Sequence, residues 1–245
     1  MIIQRSVAAN QKDWQTSPDY SYLERDKDRN GTKTYQVSML LGSPYSSLIA
    51  VNGEPLSLED RERERQRLEQ VTEQRESESP DKQEERIRKY ERDRERDHLM
   101  MEQLADAFDF KLLGEQKLEG VDVYVLSAKP RPGYQPANME TKALSGMQGK
   151  LWIDKKTFQW VKVTAEVVHP VTIEGFLARI EPGTRFELEK MPVADGIWLP
   201  KHFSMVSRAR ILFLFPRKRQ EDETYFNYQR LPTNAGFQAA SGESK

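Results

Sequence analysis

Beyond residue 108 the chain is written in short stretches of alternating apolar and polar residues, each closed by turn chemistry, and this pattern constrains the fold most. Strands are expected at Phe110 to Glu115, Val121 to Ala128, Lys150 to Asp154 and Gln159 to Val168. More follow at Leu177 to Glu181, Arg185 to Lys190, Ile197 to Ser207, Arg210 to Phe215 and Glu223 to Tyr228. The links LEG, DKKT, EPGT and VADG are rich in the residues that turns require. PRPGYQPANMETKALSGMQ is a longer loop with room for one helical turn. No β-α-β alternation is present, so the sheet is expected to be antiparallel. Earlier in the chain, Tyr20 to Glu24, Lys33 to Leu41 and Tyr45 to Val51 read as strands. Asn30-Gly31 and Gly42-Ser43-Pro44 turn between them and Asn52-Gly53 after them. Ile2, Ile3 and Val7 predict a short amphipathic helix at the start.

Alternation also assigns faces. In QWVKVTAEV, Val161, Val163, Ala165 and Val167 are expected on one face, and Lys162, Thr164 and Glu166 on the other. ILFLF, residues 211 to 215, is apolar on both. Trp152, Trp160, Trp198, Phe203, Phe213, Phe215 and Phe226 make the sheet rich in aromatic side chains. The ordinary reading of such residues is a core beneath helices. The sharper reading is an apolar ligand cavity, lined by Met100, Met101, Leu104, Trp152, Val161, Val163, Phe186, Trp198, Phe213, Phe215 and Phe226.

Between the two groups of strands runs RERERQRLEQVTEQRESESPDKQEERIRKYERDRERD, residues 61 to 97, with 12 basic and 13 acidic side chains in 37 positions. Phosphate binding needs an excess of cations that releases counterions, and here every basic residue has an acidic neighbour, so the run is not a nucleic-acid arm. A coiled coil needs sustained apolar a and d positions, and only Leu68, Val71, Ile87 and Tyr90 are apolar, with Pro80 between them. Arg and Glu spaced three or four apart still favour helix. Ser57 with Asp60 forms a capping-box pattern that opens one helix, and Pro80 opens a second after a break near SESPD. The second helix turns amphipathic at its end, where Met100, Met101, Leu104 and Phe108 share a face that should dock on a core.

Several classes of chemistry find no support. Cysteine is absent, which excludes disulfides, thiol nucleophiles and Cys-ligated zinc. His98, His169 and His202 are isolated, outside HxH or HExxH spacing, and read as surface or edge residues. GxSxG, GxxxxGK[ST] and GxGxxG are all missing. No enzyme, metal or cofactor is expected. The formal net charge of −1 recruits neither polyanion nor anionic membrane. The basic FPRKRQ is followed at once by EDET, which argues against an RNA platform on the sheet. No stretch approaches the ~20 apolar residues of a transmembrane helix. MIIQRSVAANQKDWQ has too short an apolar run for a signal peptide, so any leader is expected to be absent from this chain.

One stretch is familiar. GVDVYVLSAKPRPGY, followed by GKLWIDKKTFQWVKVTAEV, resembles the LolA/LolB-type outer-membrane lipoprotein-sorting superfamily, whose fold the RseB-like envelope-stress sensor domains share. The resemblance rests on a strand ending near a proline (Val121 to Pro130). A hairpin follows, carrying Leu151, Ile153, Asp154 and Thr157, and then a strand from Gln159. It is clearest over residues 120 to 168.

The resemblance implies a mainly β (α+β) fold: a single curved antiparallel sheet, a half-barrel of about eleven strands, with helices on its concave side. It also implies a periplasmic or outer-membrane-associated place in a Gram-negative envelope, and a lipid or acylated lipoprotein as partner. On this reading residues 1–231 form the half-barrel domain, 57–107 a charged helical hairpin inserted in it, and 232–245 a flexible tail. The hairpin's apolar end would lid the cavity, and methionines suit that role because they repack around irregular cargo. Residues 61–97 would serve a protein partner or solubility. The competing readings are an envelope sensor or interaction domain whose half-barrel is filled by its own side chains, and, third, a hydrolase using carboxylates that sequence does not single out.

Overall fold

Short alternating segments and tight turns do produce strands. The computed structural model describes residues 1–139, 141–173, 178–194, 196–211 and 215–232. They divide into two units, Met1–Gln15 with Arg96–Thr224, and Thr16–Glu95 with the chain from Tyr225. The polar tail expected from Pro232 lies, from residue 233, outside the described residues.

The first unit opens with α1 (Ile2–Thr16, its last residue beyond the unit boundary). It resumes at the end of α3 (Pro80–Glu102), followed by the single turn α4 (Leu104–Ala107). Strands β5 (Phe108–Leu118), β6 (Val121–Pro130), β7 (Met147–Asp154) and β8 (Trp160–Val167) come next. A 3₁₀ turn at Thr141–Gly146 lies within the long β6–β7 loop. Then come β9 (Val171–Ile173), β10 (Ala178–Ile180), β11 (Arg185–Ala194), β12 (Ile197–Ile211) and the first part of β13 (Phe215–Arg230). The ladder runs β13-β12-β11-β8-β7-β6-β5, with β10 pairing β9 and the far end of β12. Its pairings are antiparallel. The strand expected at Arg210 to Phe215 is instead the end of β12 and the start of β13, since Ile211 pairs with Phe215 across the connection.

The second unit pairs in the order β4-β3-β2-β1-β13, with β1 Tyr20–Asp28, β2 Gly31–Leu40, β3 Ser43–Val51 and β4 Glu54–Pro55. Because β13 belongs to both orders, the hydrogen-bond ladder is one open antiparallel sheet, not closed into a barrel. Asn52-Gly53 is a turn with both residues at positive φ, 53° and 83°, the geometry that matches strand twist. The turn expected at Gly42-Ser43-Pro44 sits one residue earlier. Leu41 and Gly42 take the left-handed conformation and Ser43-Pro44 already belong to β3.

The charged run folds as two helices, α2 (Leu58–Glu76) and α3, as its capping signals predict. The Ser57 hydroxyl accepts the Asp60 N–H at 3.0 Å, and its own proton goes to the Asp60 carboxylate at 2.6 Å. Among the described residues no helix is long and apolar enough to cross a membrane.

The hairpin is fastened to the second unit by its arginines. Arg75 donates to the carbonyls of Leu40, Ser43 and Pro44 at 2.7, 3.0 and 3.1 Å. Arg86 donates to the Leu41 carbonyl at 3.0 Å and the Ser43 hydroxyl at 2.8 Å, and forks onto Glu78. Glu64 accepts the Leu48 N–H at 3.1 Å. Beyond its two-residue pairing with β4, β3 has no strand on that side among the described residues, so α2 satisfies part of an exposed edge.

Candidate ligand-binding site

The apolar core of the first unit gathers Phe108, Leu126, Leu151, Ile153, Trp160, Val163 and Val167 beneath helices. Ile2 and Ile3 of α1, Met100 and Met101 of α3, and Leu104 of α4 pack against it. Where the helices meet the strands, a cavity of about 200 Å³ remains. Met100, Met101 and Leu104 line its helical side; Leu151, Trp160, Val163, Phe186 and Leu188 line its strand side. Its floor is set by register. Ala128 pairs with Gly149, Gly149 with Ala165, and Ala165 with Phe186, so three small residues lie side by side on adjacent strands. The rows on either side are bulky, with Leu126, Leu151, Val163 and Leu188 in one and Met147 and Val167 in the other. At Gly149 an added Cβ would lie 2.3 Å from the Thr164 carbonyl oxygen, so only glycine fits there.

Five of the residues selected by sequence therefore meet at this cavity: Met100, Met101, Leu104, Val163 and Phe186. Trp152, Val161 and Trp198 do not. They pack with Val123 and Val125 in a separate, smaller cluster. Trp152 faces away by plain alternation between the core residues Leu151 and Ile153; for Val161 the reason is a β-bulge, since Trp152 pairs with Lys162 but Ile153 with Trp160, which leaves Val161 as the extra residue. A bulge puts two successive side chains on one face, so Trp160 and Val163 share the core side while Val161 turns away from it. Phe226 belongs to the second unit, where Arg25 stacks over its ring at 5.1 Å. Phe215 opens β13 opposite Ile211, and Phe213 lies outside the described residues.

A larger cavity of about 540 Å³ is bordered by side chains of the alternate positions, among them Ser127, Lys150, Trp152, Thr164, Glu187 and Ser204. Lys162, beside it in the ladder, donates to Glu187 at 2.6 Å and to Glu189 at 3.0 Å. Burial works against its charge, but those carboxylates outweigh it and hold its pKa above the usual lysine value.

The first unit also holds a polar network that sequence reasoning missed. The buried face of α1 is Ser6, Asn10 and Asp13, not an apolar stripe. The Asp13 carboxylate accepts from Lys190 Nζ at 2.7 Å, from Gln159 Nε2 at 3.0 Å and from the Trp198 backbone N–H at 3.0 Å. Lys190 also donates to Asn10 at 2.8 Å, and burial presses its pKa down despite the Asp13 charge beside it. Every charge here is met, so the network anchors α1. No local signal marks these residues, because the partners are more than a hundred positions apart in the chain. His98, expected at the surface, is buried instead. It stacks on Trp14 with ring centroids 4.2 Å apart and bonds to Gln11.

No family model matches the chain, and no curated protein does. Solved structures similar to it include a Vibrio parahaemolyticus domain described as belonging to an outer membrane lipoprotein-sorting protein. It is 12% identical over 93% of this chain and 92% of that one, with a TM-score of 0.34. A DUF1329 family protein from Desulfovibrio piger is 12% identical over 97% of this chain and 96% of its own, with a TM-score of 0.33. A LolA superfamily protein from Nitrosomonas europaea is 11% identical over 91% and 93%, with a TM-score of 0.30.

Proposed function

We propose that this chain is a periplasmic binding module of the lipoprotein-sorting kind, which holds the acyl part of a lipid or lipoprotein beneath Met100, Met101 and Leu104. The observation that carries the reading is the cavity itself, whose lining is apolar except for Gln148 and Thr164. An unpaired charge would be costly in such a space, whereas a hydrocarbon chain gains on entering it. Two methionines on its helical side supply a lid that repacks around chains of different shape. Native mass spectrometry of freshly purified protein, with organic extraction of whatever it carries, tests the reading. A co-purifying phospholipid, fatty acid or acylated peptide is the expected result. A clean apo mass with no uptake of added fatty acyl probes overturns it.

A second reading has one observation in its favour. Ligand pockets commonly span about 300–1,000 Å³, and this cavity is smaller, about 200 Å³. A core filled mainly by its own side chains suits an envelope sensor or interaction domain, with the outer surface of residues 61–97 meeting a protein partner.

A further inference from the structure

The larger cavity, about 540 Å³, lies on the strand face turned away from Leu151, Val163 and the helices that cover them. Its size is within the ~300–1,000 Å³ of small-molecule sites. Register builds its lining. Ser127 pairs with Lys150, Lys150 with Thr164, Thr164 with Glu187 and Glu187 with Ser204, so five polar residues form one row across β6, β7, β8, β11 and β12. Four inter-strand steps make that row ~19 Å long. Trp152, two positions along β7 from Lys150, walls one side of it. Gln148, Glu166 and Arg185, which pair in the neighbouring row, wall the other.

This lining mixes donors and acceptors at close spacing. Lys150 and Arg185 only donate, Glu166 and Glu187 only accept, and the hydroxyls of Thr164 and Ser204 do both. Gln148 donates to Glu166 at 2.8 Å and Lys162 to Glu187 at 2.6 Å, and a carboxylate with about four lone-pair positions has room to accept more. An anion in this trough would lie against two carboxylates, and a cation against Lys150 and Arg185. An added peptide strand finds no backbone partner, because β7, β8 and β11 are each paired on both sides. A ligand that carries hydroxyls all along its length meets every one of these residues, since each hydroxyl both donates and accepts. The aromatic surface of Trp152 offers flat apolar area for the C–H face of a sugar ring.

We propose that this trough is a second ligand site, one for a neutral saccharide of at least two rings, with one ring stacked on Trp152 and its hydroxyls bonded to Lys150, Thr164 and Glu187. The site lies across the sheet from the methionine-lidded cavity and stands independently of the acyl-binding reading.

The test is an NMR titration of the isotope-labelled full chain with cellobiose, maltose and N,N′-diacetylchitobiose, beside inorganic phosphate and ethylammonium as ionic probes. At least one disaccharide is expected to give saturable shifts in the backbone amides of Lys150, Trp152 and Thr164, with the methyls of Met100 and Met101 unmoved, and neither ion is expected to do so. Lys150 is exposed, so Lys150→Met keeps the fold and should weaken that binding roughly tenfold, the worth of one hydrogen bond to a charged group. Trp152→Ala should abolish it. Should Trp152→Ala fail to fold, Lys150→Met still decides. The inference is overturned if none of the three disaccharides moves those amides, if either ion binds there as tightly, if the shifts appear only at the methionine methyls, or if Lys150→Met binds as the wild type does. Each of these results leaves the acyl-binding reading standing, because the cargo of the apolar cavity is read separately by extraction and native mass spectrometry.

Discussion

The two units cover their strands by opposite means. In the first, helices contribute Ile2, Ile3, Met100, Met101 and Leu104 to an apolar core, and one buried acid, Asp13, locks α1 in place. In the second, α2 and the start of α3 reach the strands with Arg75 and Arg86, which hydrogen-bond carbonyls of the β2–β3 turn. Apolar cover tolerates repacking and leaves a cavity; arginine forks fix a defined geometry. The charged hairpin is therefore no loose decoration: one side is structural, while the other is solvated. The cavity lies under the apolar cover, where adjustment costs least.

The contrast breaks hardest at Asp13. Asp13→Ala strands the Lys190 charge, the Gln159 amide and the Trp198 N–H, and should cost about 3–5 kcal/mol, read by urea denaturation. Asp13→Ala with Lys190→Met should recover much of that loss, since the uncompensated charge goes with it. In the second unit, Arg86→Ala removes the Glu78 fork and the bonds to Leu41 and Ser43. About 2 kcal/mol is expected, the scale of charged hydrogen bonds, with hydrogen exchange rising at the β2–β3 turn and not in β7 or β8.

Acid should sharpen the same contrast. Arg86 holds the Glu78 carboxyl below its ordinary value of 4.5. In the first unit burial tends to raise Glu189, but Lys162 outweighs it and holds it below 4.5 too. A depressed carboxylate contributes fully above the unfolded pKa and loses that contribution as pH falls through the lower folded value, because the unfolded chain takes up the proton first. Stability should thus fall below pH 4.5, and the gap between wild type and Arg86→Ala should close there. A gap unchanged in acid would show that Arg86 works through the carbonyls alone. The smallest effect belongs to the solvated side of the hairpin. Arg65 pairs with Glu62 and Glu69, all about half exposed, so Arg65→Ala should change the melting temperature least of these variants. Added salt should shrink even that difference in melting temperature.

Much of this was legible before the fold. Ser57 with Asp60, Pro80 and Asn52-Gly53 each carry their structural instruction within a few residues, and the helices and turn are where those instructions put them. Alternation likewise marked the strands, and the amphipathic end of α3 announced its docking face. The candidate site was half legible: Met100, Met101, Leu104, Val163 and Phe186 meet, while Trp152, Val161 and Trp198 lie in the other cluster.

What sequence alone determined was therefore the local set: elements, turns, caps and the near-neutral hairpin. Each depends on backbone preferences and side chains a few positions apart. Only the tertiary structure decided which side chains share a face. The bulge at Val161 depends on how β7 registers against β8, and one inserted residue reverses every assignment beyond it. It also decided that α1 buries Ser6, Asn10 and Asp13, and that Arg75 and Arg86 are structural. A polar side chain is favourable in the interior only when a distant partner meets it, and no short stretch of chain records which partner folding will bring.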